Sequence, residues 1–276
     1  MLERGTSNTI NSNPNGGKTT LYCQAVRAHL YKEDFFLKSM TFPSGRIAFV
    51  QTDRSIERYK NLLIPMGLYQ HSAIEIINFV DEPSFHELTK PVQSKDIPRH
   101  IELLRTAITA RLTQKDISTV IFDLDPFQRA TSSSDAGYYS RSVAIWAKEQ
   151  NFSVLLINYP FKQTTAKQAL RTQDRSSGFL HAQASQDWKF TIIDSEENDT
   201  PYHILSVRKP SGSGSREEHM VLRGTEEEGD FIGLYRLYTG PRIPTVVEIM
   251  KERKCDYDEA WRIRKRLLAG DAYESL

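Results

Sequence analysis

The chain is poor in cysteine, in net charge and in long apolar runs, and each shortage excludes something. Cys23 and Cys255 are the only cysteines among 276 residues. Neither a disulfide framework nor a cysteine-built zinc site is supported, and a reduced, cytoplasmic setting is the default expectation. Nothing approaches the roughly 18 consecutive apolar residues of a membrane span. The polar N-terminus lacks the apolar centre of an export signal, so neither membrane insertion nor secretion is expected. A formal net charge of only +1 means that nucleic-acid binding would need a local basic surface. Hydrophobic and charged contents of 39% and 26% are ordinary for a globular protein. The length suits one large domain, or one domain with a small appendage.

Against that plain background stands Ser12-Asn13-Pro14-Asn15-Gly16-Gly17-Lys18-Thr19-Thr20. Gly17, Lys18 and Thr19 take the G-K-[ST] positions of a phosphate-binding loop, with Ser12 where the pattern has its first glycine. The residue types suit the task. Gly16 and Gly17 let the backbone turn so that successive N–H groups face phosphate oxygens. Lys18 reaches the β- and γ-phosphates, and the Thr19 hydroxyl completes a Mg²⁺ shell. The following run, Leu21 to Leu30, reads as a helix whose positive end meets the anion. A Gly/Asn-rich turn that merely contains Lys-Thr is the competing reading. The extended stretch from Thr6 to Asn11 before the loop, and the helix after it, favour binding of a nucleotide with Mg²⁺.

From Ser12 to about Arg208, β-type apolar runs alternate with helical stretches, the pattern of an α/β protein with a mainly parallel sheet. Strands are expected at 46–51, 74–79, 119–123, 153–158, 189–193 and 202–208, mostly as near-continuous apolar runs covered on both faces. Helices are expected at 19–31, 55–63, 98–112 and 137–150. In the third, Ile101, Leu104, Ala107, Ile108 and Leu112 form a core-facing stripe. Residues 125–136, 159–177 and 210–217 read as loops, the first a flexible link through Ser132-Ser133-Ser134-Asp135. An antiparallel hairpin is expected across 224–229. A helical tail follows, dividing the chain into a core of 1–239 and an appendage of 240–276. Its spacing fits a helix-turn-helix, or two helices that cap the core or pack on a neighbouring subunit.

Three strand ends carry candidate chemistry. Val120-Ile121-Phe122-Asp123 is an apolar strand closed by a carboxylate, suited to hold metal-bound water beside the phosphate loop; Asp125 is its competitor. Ile47 to Asp53 is a second strand leading to an acid. Asp53 either orients the attacking water or, like Ser55, caps the next helix. Asn158 closes Val154-Leu155-Leu156-Ile157 and either senses the γ-phosphate or is simply a polar strand end.

This order of motifs resembles the RecA-like ATPase core, and more closely the hexameric replicative helicases of the RepA and DnaB type, over roughly residues 1–230. Glu3-Arg4-Gly5-Thr6 is similar to the Arg-Gly segment that leads into the family's first strand. The resemblance implies that Lys18 and Thr19 take the Walker A roles, Asp123 that of Walker B and Asp53 that of the catalytic carboxylate. Asn158-Tyr159 falls at the polar sensor. Arg175-Ser176-Ser177-Gly178 is similar to an Arg-Gly-Ser segment. Arg208 and Lys209 fall where the family places basic residues that act on a neighbour's γ-phosphate; a solvated strand end is the alternative. Three departures are plain: Ser12 for glycine, Asp53 for the usual glutamate, and Tyr159 for the usual sensor side chain. A ring would bring the loop after Asn158 to its channel, with Lys162, Lys167 and Arg171 on strand phosphates and Tyr159 or Phe161 stacking on a base. The implied protein is a minimal, homo-oligomeric, hexameric ATP-driven motor on single-stranded DNA. A RecA-type recombination or annealing ATPase and a nucleotide switch that binds a protein partner are the alternatives.

Overall fold

A computed structural model of the chain describes residues 2–11, 17–52, 56–81, 94–112, 116–123, 133–158, 189–193, 202–208, 216–223, 233–237, 244 and 246–268. Its strands are β1 (Ser7–Asn11), β2 (Arg46–Gln51), β3 (Ile74–Asn78), β4 (Ile117–Asp123), β5 (Ser153–Asn158), β6 (Lys189–Ile193), β7 (Tyr202–Arg208), β8 (Arg216–Arg223) and β9 (Tyr235–Leu237). Its helices are α1 (Lys18–Tyr31), α2 (Ile56–Leu63), α3 (Ile97–Leu112), α4 (Ser133–Gln150), α5 (Val246–Arg253) and α6 (Tyr257–Leu268). All nine strands join one sheet in the order β3-β2-β4-β5-β1-β6-β7-β8-β9. Neighbours run parallel from β3 as far as β6. Strands β7, β8 and β9 then add antiparallel.

The continuous apolar runs are explained by what covers them. Successive strand residues point to opposite faces, so a strand buried on both sides has no polar phase. On one face Ile47, Phe49, Ile121, Leu155 and Ile157 pack with Leu21, Tyr22 and Val26 of α1 and Tyr59 and Leu63 of α2. On the other, Ala48, Val50, Val120, Phe122, Val154 and Leu156 pack with Ile101, Leu104 and Ile108 of α3 and Val143, Trp146 and Ala147 of α4. The result is an α/β fold of three layers. The α3 stripe lies where its spacing requires.

Arg4 and Gly5 brace the amino edge of this sheet. Arg4 donates to the Ser44 carbonyl at 2.9 Å and approaches Asp116 at 3.5 Å. Gly5, at φ 75°, donates its N–H to the Phe152 carbonyl at 3.1 Å.

Three elements depart from expectation. The alternating pattern predicts a parallel sheet through Arg208, yet β7 turns back against β6. The connection from Ile193 to Tyr202 is shorter than the dozen or so residues that a parallel crossover needs. Strand β8 begins at Arg216 and takes in residues expected in a loop. Helix α4 begins at Ser133, so Ser133-Ser134-Asp135 is its first turn and not a flexible link; Ser and Asp favour helix starts.

At the C-terminal end, α5 and α6 pack on each other through Val246, Ile249, Ala260 and Leu267, with Met250, Tyr257 and Trp261 against them. Lys254, at φ 53°, turns the chain between them. Asp256 Oδ1 accepts the Glu259 N–H at 2.8 Å and caps α6. Among the described residues, no helix is long and apolar enough to cross a membrane.

Candidate phosphate and metal site

The parallel strands all deliver their carboxyl ends to one edge. There β1 ends on Asn11, β2 on Gln51, β3 on Asn78, β4 on Asp123 and β5 on Asn158, all polar, while β6 ends on the apolar Ile193. The connection leaving β1 runs into α1 on one face of the sheet, while that leaving β4 leads to α4 on the other. With only β5 between β1 and β4, the helices that follow these two strands pack on opposite faces of the sheet, the topological switch point at which open α/β sheets bind ligands in a crevice outside the strand ends.

Gly17 opens α1 on the crevice side. Its φ of 70° and ψ of 19° are left-handed, a conformation that costs other L-residues about 1–2 kcal/mol. Its carbonyl accepts the first helical bond, from the Leu21 N–H at 2.9 Å. The helix's N-cap, Gly17, has no side chain to cap it, and no acid lies in the first turn. First-turn N–H groups and the helix dipole therefore present a positive face. Lys18 is next in the chain and only 4% exposed, which is rare for an ammonium.

Thr19 and Asp123 meet across 104 residues of sequence: the threonine hydroxyl donates to the Asp123 carboxylate at 3.2 and 3.4 Å, with both side chains buried. Gln51, the last residue of β2, and Thr52 just after it also hold Asp123. Gln51 Nε2 donates to its Oδ2 at 3.4 Å, and the Thr52 hydroxyl donates to its backbone carbonyl at 3.4 Å. Gln51 lies directly opposite Asp123 in the β2–β4 register. Beneath the site the Tyr22 and Tyr59 hydroxyls hydrogen-bond to each other. Burial first, and then the negative charge of Asp123, push the Tyr22 phenol well above the usual tyrosine range. Burial, Cys23 and Asp123 do the same for Tyr59. Both stay neutral, so they can donate hydrogen bonds but add no charge near the carboxylate.

The donors at the crevice are hard oxygens, the chemistry of Mg²⁺ and not of zinc or copper. One of them, Gln51 Oε1, is buried with no partner among the described residues. Among those residues no three His, Cys, Asp or Glu cluster as a metal cage would require. Mg²⁺ held by a single carboxylate, a hydroxyl and substrate phosphates needs no such cage. The residues fit.

Of the residues singled out from sequence, Gly17, Lys18, Thr19, Thr20 and Asp123 are brought together here. Asn158 joins them by register: it pairs with Asn11, on the strand between β1 and β4. Arg208 lies elsewhere. It pairs with Lys189, which pairs with Thr9, two residues before the carboxyl end of β1. Ser12, Asn13, Pro14, Asn15, Gly16, Asp53, Asp125, Lys162, Lys167, Arg171 and Lys209 fall outside the described residues.

Two contributors escaped the sequence reading. Gln51 is a polar residue closing an apolar strand, the same signal that picked out Asp123 and Asn158. Tyr235 gave no signal. It packs against Gly17 so closely that a Cβ there would overlap its hydroxyl and lie 2.9 Å from Cζ. Gln24 of α1 fixes it, donating to the Tyr235 carbonyl at 2.7 Å and accepting the Tyr235 N–H at 2.9 Å.

No protein-family model matches this chain, and a search of curated proteins finds no match.

Proposed function

We propose that this chain is a Mg²⁺-dependent ATPase with a RecA-like P-loop core. In this reading it works as a homo-oligomeric motor on single-stranded DNA, in the manner of the replicative helicases it resembles. The Thr19–Asp123 contact carries the nucleotide half of the proposal. Two residues read from separate stretches of the sequence, for adjacent places in one metal site, are hydrogen-bonded through buried oxygens. The sheet order adds support, because Asn158 ends the strand between those that lead to the loop and to Asp123. The motor half rests on the order of motifs alone.

The roles follow from residue chemistry. Main-chain N–H groups at the start of α1 bind the phosphates, and Lys18 supplies the cationic charge beside them. Thr19 and Asp123 hold Mg²⁺, which when bound neutralises charge on the phosphate oxygens. Asp53 orients water, and Asn158 registers the terminal phosphate. Arg208 or Lys209 stabilises charge on a neighbour's nucleotide, while Lys162, Lys167 and Arg171 contact the DNA backbone.

Calorimetry with Mg²⁺ and a non-hydrolysable ATP mimic tests the nucleotide half. Wild type should release heat on binding and Lys18→Ala should not; absence of heat from wild type ends the reading. Hydrolysis measured with and without single-stranded DNA tests the motor half. A rate indifferent to DNA would point to the nucleotide switch. Electron microscopy of the ATP-bound form would separate a ring from a filament.

A further inference from the structure

We propose that Gln51 is a positioning residue of the metal site, its amide nitrogen steering Asp123 and its amide oxygen accepting a hydrogen bond from water held by the metal. The inference deepens the Mg²⁺-nucleotide reading and rests on it. Gln51 is completely buried at the end of β2, opposite Asp123. A carboxylate offers only acceptors, so the end of the amide that meets Asp123 Oδ2 at 3.4 Å is the NH₂ group. The other end is then fixed as the oxygen.

That oxygen has no partner among the described residues, although its surroundings exclude bulk solvent. Burying an amide while leaving its acceptor unpaired is unfavourable. A glutamine at this point is therefore explained by a donor that arrives with the ligand. A water in the shell of a divalent cation fits best, because the ion's charge makes it a strong donor. A neutral amide has a further advantage over a second acid. It grips Asp123 without competing for its charge, and outer partners of this kind orient metal ligands in general.

The test uses the full chain and Mn²⁺ as the probe, its free concentration followed by electron paramagnetic resonance in saturating non-hydrolysable ATP mimic. Thermal melts report folding of each variant. Gln51→Met keeps the length and removes both polar atoms. It should weaken Mn²⁺ binding by about tenfold or more and leave affinity for the mimic in EDTA unchanged. Gln51→Glu places a carboxylate beside Asp123. Without metal the two share a proton, so Mn²⁺ affinity should climb from about pH 6 to 8 more steeply than in wild type.

A folded Gln51→Met with wild-type Mn²⁺ affinity overturns the role of Gln51 while the nucleotide reading stands. Should Gln51→Met fail to fold, a wild-type pH slope in Gln51→Glu overturns it instead. If wild type itself binds no Mn²⁺ with the mimic, the site reading falls first and this inference with it.

Discussion

Gly17 is held in place by two independent constraints, and they can be separated. A left-handed φ of 70° penalises any side chain, and the Tyr235 ring penalises the space a side chain would fill. Gly17→Ala should cost at least about 1–2 kcal/mol from the backbone alone, read as a lower urea midpoint. Adding Tyr235→Phe removes the hydroxyl and should restore part of the loss, since Cζ and Cε2, at 2.9 and 3.1 Å, still crowd the new methyl. If it restores nothing, crowding is not part of the penalty. His29 offers a second test. Burial, and then Lys32, lower its pKa below the ordinary histidine value of 6.5. As pH falls through 6.5 the unfolded chain takes up the proton first, so stability drops, and the drop levels off below the folded pKa. Melting temperatures between neutral pH and about pH 5 should therefore fall less in His29→Gln than in wild type; equal slopes would remove His29 from the acid response. Gly17, Lys18, Thr19 and Asp123 were legible in the sequence, because the phosphate-loop and strand-end patterns admit few residue types at those positions. Gln51 carried the same strand-end signal as Asp123, but its partner is set by a strand register that no local pattern encodes; Tyr235 was not legible at all, since it acts through a packing contact.

Strand β9 is the outer edge of a nine-stranded sheet, and bare edges invite pairing with other chains. Here a side chain covers part of the edge. The Gln24 amide matches the N–H and C=O of Tyr235 as a neighbouring strand would, and so ties the last strand to α1. Gln24→Leu leaves both groups unpaired and should cost about 1–3 kcal/mol. Faster amide exchange at Tyr235, with exchange in β4 and β5 unchanged, would locate the damage at this edge; a uniform speeding would refute it. Most elements were legible from periodicity, and β2, β5, β6 and β7 have the expected bounds. The direction of β7 was encoded in the length of its connection, which apolar periodicity does not measure. The C-terminal pair shows the limit of spacing. Helix, three-residue turn and helix are all present, but the exposed residues of α6 include Asp258 and Glu259 as well as Arg262 and Arg266. A mixed face of that kind does not specify a polyanion.

Across the molecule, the register places Arg208 about 7 Å of strand rise short of the row that contains Asn11. It is also two strands away from β1. Arg208 is thus set back from its own loop toward the amino edge of the sheet, and a role in hydrolysis would be exerted on an adjacent copy. Head-to-tail assembly supplies such a neighbour, because each subunit then presents one surface to the nucleotide site of the next. Mixing tests this directly. On the proposed function, Lys18→Ala should lose its own nucleotide site but keep Arg208, and Arg208→Ala should keep its site but offer no cation. Each alone should be inactive once assembled. In an equal mixture about a quarter of head-to-tail interfaces join an intact site to an intact Arg208, so turnover should reappear and scale with that fraction. Recovery requires both that Arg208 acts between subunits and that subunits exchange, which fluorescence transfer between labelled chains would establish separately. If subunits exchange and activity stays absent, Arg208 does not act across the interface. If Arg208→Ala alone hydrolyses ATP at the wild-type rate when assembled, it has no role in turnover, and Lys209 becomes the residue to substitute.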